Sequence, residues 1–142
     1  MTVILSFGYC IFLQVSPSLR TNLVVETWPN GPGKMSSSCK GPFQVENIDE
    51  IDFKKMVPEV DFNTKHDHSK WAVSYSTSRS HRLHDIGNIV CIGDINRMET
   101  QKKRAGGTVC FQNKFAWKAF TGIVKAVELC PRYEYFLMKV RY

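Results

Sequence analysis

Apolar and polar positions alternate over several short stretches of the chain, and near the C-terminus the rhythm changes to a helical one. The segment "NLVVETW" (22–28), rich in valine and closed by an aromatic residue, predicts a strand. Pro, Gly and Ser crowd "PNGPGKMSSSCKGP" (29–42) and mark a loop. From Phe43 to Phe53 alternation runs over Phe43, Val45 and Asn47 and resumes at Ile48, predicting one or two short strands. A polar connection containing Pro58 fills residues 54–67. The clearest strands are "SKWAVSY" (69–75) and "NIVCIGDI" (88–95), separated by the polar loop "STSRSHRLHDIG". A second loop, "QKKRAGG" (101–107), leads into the strand "TVCFQ". Then Phe115, Ala119, Phe120, Ile123, Val124 and Val127 recur at helical spacing, predicting a C-terminal helix near 113–129 with Asn113 as its N-cap. Phe115, Trp117 and Phe120 read as core residues of that helix rather than as stacking platforms. The tail 132–142 reads equally as a final strand or an ordered arm, and no internal repeat is present.

At the other end, residues 3–15 are almost all apolar, a run too short to span a membrane. It suits the apolar core of a signal peptide, although no Lys or Arg precedes it. It suits a buried strand or helix equally well.

Composition fixes the class. The length of 142 residues is that of one domain, and 43% hydrophobic with 23% charged residues excludes global disorder. Charge is informative through its placement. Between Lys65 and Lys118 lie ten Lys/Arg against four Asp/Glu, while the remainder carries nine of each, so the whole excess of +6 sits in one central stretch. All four histidines (His66, His68, His81, His84) fall there too, which makes the region more positive in acid. A polyanion is the natural partner of such a surface, and a solvated basic face without a ligand is the plain alternative. The five cysteines show no CxxC or CxxH spacing, so no structural zinc site is expected. Two disulfides in a secretory-pathway protein fit Cys39, Cys91, Cys110 and Cys130 better.

The candidate chemistry begins at "HDHSKW" (66–71). On an extended chain His68 and Lys70 point the same way, and in "IGDINR" Asp94 and Asn96 share a face. If the two strands are neighbours, histidine, lysine and asparagine converge on one spot, and each suits a phosphodiester. Neutral imidazole attacks phosphorus, or its protonated form protonates a leaving oxygen. Lysine neutralises non-bridging oxygens, and the amide donates to them or holds the imidazole. Asp94 orients a histidine or serves as a turn residue. No metal is called for, and His66 with His68 lacks a third ligand.

"DHSKW", "CIGDINR" and "RAGGTVCFQNKFAWKAF", in that order, resemble the C-terminal half of the deoxyribonuclease II family, within the phospholipase D superfamily. The likeness begins at "TNLVVETW", passes through "SSSCKGPFQVENI" and ends near Cys130, covering about residues 20–131. It divides the chain into an apolar N-terminal segment (1–19), a deoxyribonuclease II-like half-domain (20–131) and a tail (132–142). The implied fold is α/β (α+β): one phospholipase D-like half with a mixed sheet and packed helices. The implied activity is metal-independent, cofactor-free cleavage of DNA at acid pH to 3′-phosphate ends, in a secreted or lysosomal protein and without a membrane partner. His68 and Lys70 match the catalytic HxK, and Asp94 and Asn96 match the GDxN segment of the phosphate site. Bridges Cys91–Cys110 and Cys39–Cys130 are implied, with Cys10 left over. In the chain-entropy view such loops stabilise by roughly 3 and about 4–5 kcal/mol.

A complete family member carries two HxK motifs, one in each half of a pseudo-twofold fold, and this chain carries one. The resemblance therefore implies a site completed by a second copy in a homodimer, or by a missing N-terminal half. An inactive DNA- or polyanion-binding homologue, or a truncated fragment, is the alternative. The 77–87 loop is longer than the family's and adds Arg79, His81, Arg82 and His84, while Ala72 stands where a cysteine is expected. Lys102, Lys103 and Arg104 are candidates for contact with the DNA backbone, or else residues of a solvated loop.

Overall fold

The computed structural model describes residues 2–7, 11–53, 61–63, 66–75 and 87–131. Its strands are Thr2–Phe7 (β1), Asn22–Glu26 (β2), Val45–Asp52 (β3), Asp61–Asn63 (β4), Trp71–Tyr75 (β5), Ile89–Gly93 (β6), Ala105–Gln112 (β7) and Val124–Glu128 (β8). The helices are Ile11–Ser18 (α1) and Lys114–Gly122 (α2), with a 3-10 turn at Glu99–Lys103. All eight strands join one sheet in the order β1-β7-β6-β5-β2-β3-β4, and β8 also pairs with β3. Among the described strands only β2 and β3 run parallel, so the sheet is mixed and the expected α+β class holds.

Strand periodicity explains why both faces are covered. Leu23 and Val25 of β2, Ala72 of β5 and Ile89 and Cys91 of β6 join Phe12 and Val15 of α1 in one buried cluster. Val24, Trp71, Val73 and Val90 point the other way, against Ile48, Ile51 and Ile123, where Trp117 and Phe120 of α2 pack on them. The indole of Trp117 donates to the Ser74 carbonyl at 2.7 Å, and Phe120 meets Trp71 edge-on with ring centroids 5.0 Å apart. The apolar N-terminal run supplies β1, which pairs with β7, and Phe12 and Val15 of α1, which are fully buried.

The C-terminal helix is shorter than expected. Asn113 caps it as predicted, accepting from the amides of Phe115 and Ala116, but it ends at Gly122 and Val124–Glu128 form β8. The apolar residues Val124 and Val127 continue a helical spacing by coincidence. Glycine weakens the helix at that point, and β-branched residues beyond it find an open strand edge on β3. Phe115 is also no core residue: at 83% exposure it faces solvent. The 54–67 connection contains β4, and β7 starts at Ala105 within the segment read as loop. Cys91 is bonded to Cys110 across β6 and β7, and Cys39 to Cys130, the pairing the resemblance implied. Cys10, the 132–142 tail and residues 76–86 of the long loop lie outside the described residues.

Candidate active site

The antiparallel order β2-β5-β6-β7 brings the end of β2, the start of β5, the end of β6 and the start of β7 to one end of the sheet. Trp71 pairs with Ile92, and the pairing runs one step further, where the Gly93 amide donates to the Lys70 carbonyl at 2.9 Å. The HSK segment entering β5 therefore lies directly beside the GDxN segment leaving β6. This is the adjacency that the two sequence motifs required.

Local hydrogen bonds sort the motif's side chains. Asp67 accepts from the Ser69 amide at 2.9 Å and from its hydroxyl at 2.6 Å, while Ser69 Oγ accepts from the Trp71 indole at 3.1 Å. Residues 67, 69 and 71 are thus tied together, and with Ile51, Phe53 and Phe120 they line a largely apolar cavity of about 390 Å³ under α2. By alternation His68 and Lys70 project away from that cavity. The Lys70 ammonium folds back to donate to the His68 carbonyl at 2.6 Å. The exposed imidazole of His68 stacks on Trp28, centroids 3.9 Å apart and planes 29° from parallel.

Across the junction, Asp94 Oδ1 accepts the Gly107 amide at 3.0 Å and so ties the exit from β6 to the start of β7. Gly106 is required for this closeness, because a Cβ there would sit 2.1 Å from the Ile95 side chain and 2.6 Å from Asp94 Oδ1. Half-buried Asn96 follows, and the next residue, Arg97, anchors the segment. Its guanidinium, almost wholly buried, donates to Asn47 Oδ1 and to the Ser36 carbonyl. Asn47 in turn donates to Met35 O at 2.9 Å and to Glu128 Oε2 at 2.6 Å. The Glu128 carboxyl also accepts from Ser37, and these bonds hold it below the usual carboxylate range against the opposing effect of burial. The 33–35 stretch of the Gly-rich loop runs along residues 97–99, bridging at Lys34 and Met98. The GDxN segment is therefore clamped from both sides.

The candidate DNA contacts lie at the same sheet end, just before β7, and they are not equivalent. Lys102 is ion-paired with Glu99 at 2.7 Å, whereas Lys103 and Arg104 are exposed. Sequence reasoning named His68, Lys70, Asp94 and Asn96 and passed over Glu26, Trp28, Asp67 and Ser69, which lie beside His68 and Lys70. Glu26 is fully buried, and burial, reinforced by the Asp67 charge, lifts its carboxyl to about 8 although the Trp28 amide and Lys70 pull it down. Its place in a strand buried along its whole length gave no sign of an acid with a local task.

A mixed sheet with a helix on each face, presenting histidine, lysine and asparagine at adjoining strand ends, defines the class: an α+β domain with a candidate phosphate site. The sequence pattern of the Deoxyribonuclease II family matches residues 7–130. The chain is 38% identical over 116 residues to deoxyribonuclease-2-alpha of Rattus norvegicus, covering 82% of this chain and 30% of that protein. It is 35% identical over 125 residues to cell-death-related nuclease 7 of Caenorhabditis elegans, covering 87% and 31%, and 35% identical over 112 residues to deoxyribonuclease-2-beta of Homo sapiens, covering 79% and 28%. The chain belongs to the deoxyribonuclease II family and spans about 30% of the length of these relatives.

Proposed function

We propose that this chain is the HxK-bearing unit of a deoxyribonuclease II-like, phospholipase D-like endonuclease, hydrolysing DNA phosphodiesters without metal to leave 3′-phosphate ends. The observation that carries the reading is the Lys70–Gly93 junction, which sets HSK beside GDxN in a chain of this family. His68 acts as nucleophile or as general acid, and a histidine of a second HxK takes the other role. One imidazole attacks phosphorus as the bond to the 5′-oxygen breaks. The other gives that oxygen its proton, and water then releases the 3′-phosphate from the phosphohistidine. Lys70 neutralises the non-bridging oxygens and Asn96 orients them. One histidine must be neutral and the other protonated, so the reaction belongs below neutrality.

The second HxK comes from a second copy of this chain or from an N-terminal half. Two disulfides support a secreted or lysosomal setting, where such bonds persist. Among the described residues no helix is long and apolar enough to cross a membrane. The presence of a single HxK favours one competing reading, a non-catalytic DNA or polyanion binder.

The chemistry of the ends tests the proposal. Fragments produced at acid pH in chelator should resist 3′ extension by a polymerase until a phosphatase has acted. Ends that extend directly contradict it. If two copies build the site, specific activity rises with chain concentration. Activity seen only after adding an N-terminal half assigns the second motif there.

A further inference from the structure

Of the buried groups that the proposed chemistry does not use, Glu26 is the most conspicuous. It closes β2, pairs in register with Trp71 and is fully buried. Its Oε1 accepts the Trp28 amide at 2.8 Å, while Oε2 is buried without a hydrogen-bond partner. A buried carboxyl with an unsatisfied oxygen is unfavourable. Trp28 carries a second unfavourable feature, a φ of 47°, in a region that bulky residues seldom enter. Backbone strain of this kind persists where its surroundings hold it in place. Both features lead to one contact, the stack of Trp28 on His68.

We propose that Glu26 and Trp28 are positioning residues for His68. The carboxyl holds the Trp28 amide, that bond fixes the left-handed turn after β2, and the turn lays the indole flat against the imidazole. Stacking occupies the face of the ring and leaves its edge, which carries both nitrogens, open to a phosphate. The Asp67–Ser69 hydrogen bonds fix the backbone around His68, and the stack on Trp28 sets the plane of its exposed ring. The proposal rests on the reading of His68 as the reacting residue, yet the position of the ring can be measured without activity.

The test is the proton NMR spectrum of the full chain, with the His68 ring signals assigned by their loss in His68→Gln. Ring current from Trp28 should shift them upfield of free histidine, and Trp28→Leu should abolish the shift. Glu26→Gln keeps an acceptor for the Trp28 amide and should keep the shift. Glu26→Leu removes the acceptor and should move the signals toward free histidine while the rest of the spectrum stays native. An unshifted wild-type ring, or a folded Glu26→Leu chain with the full shift, overturns the proposal. Should Glu26→Leu fail to fold, hydrogen exchange of the wild-type Trp28 amide decides. Protection is expected, and exchange as fast as that of exposed loop amides overturns it. Scission assays fail or succeed separately from these signals, so this inference and the nuclease reading are distinguishable.

Discussion

Lys70 and Gly93 are joined by a backbone hydrogen bond of 2.9 Å, and through it two motifs 23 residues apart become one surface. The bond extends the β5–β6 pairing past Trp71 and Ile92, to the point where both strands give way to the HSK and GDxN segments. Each segment has its own anchor. Asp67 and Ser69 brace the approach to β5, and Arg97 holds the exit from β6.

Arg97 should therefore matter to stability before it matters to any reaction. Arg97→Leu leaves Asn47 Oδ1 and the Ser36 carbonyl without their donor inside a buried network. The expected loss is roughly 2–4 kcal/mol, read as a lower midpoint in urea. Exposed Lys118→Ala serves as the control and should stay within about 0.5 kcal/mol of wild type. A midpoint unchanged in Arg97→Leu would show that the network is not a clamp.

The basic turn before β7 offers a sharper test than its net charge. Lys103 and Arg104 are exposed, while the charge of Lys102 is matched by Glu99. Binding to duplex DNA, followed by fluorescence anisotropy across a salt series, should lose about one unit of log–log salt slope in Lys103→Ala or Arg104→Ala. Lys102→Ala should change the slope little. Equal effects at all three positions would mean that the ion pair with Glu99 does not persist at the DNA surface.

Glu26 gives the pH dependence of folding a definite sign. Burial raises its carboxyl from 4.5 to about 8. Between those values the folded chain keeps a proton that the unfolded chain releases, so this group's contribution to stability declines as pH rises across the window. Below 4.5 both states are protonated and the contribution is complete. Thermal melts from acid to mildly alkaline pH should show the decline in wild type and a flatter curve in Glu26→Gln. Curves of identical slope would contradict the assignment.

The sequence revealed the parts of the fold where period and composition agreed. Strands β2, β3, β5 and β6 were legible because valine, isoleucine and alternation coincide there. The helix was legible at Asn113 but not at its end. Val124 and Val127 satisfy a helical period while belonging to a strand that β3 recruits, and a single sequence does not display its own sheet edges. Phe115 misled for a related reason: an aromatic residue on a short helix seemed destined for the core, yet the helix turns that position outward. At the site, His68, Lys70 and Asn96 stood out as residue types. Glu26 and Trp28 did not, because one looked like part of a strand and the other like its end. Their meaning lies in a turn whose φ no composition announces.

Nicking of supercoiled DNA at about pH 5 in excess chelator, by the wild-type chain and by His68→Ala, bears most directly on the nuclease reading. Scission by the wild type, alone or with an N-terminal half added, and its loss in His68→Ala, is the predicted result. Equal scission by both chains, or none by either even with the N-terminal half present, would contradict it.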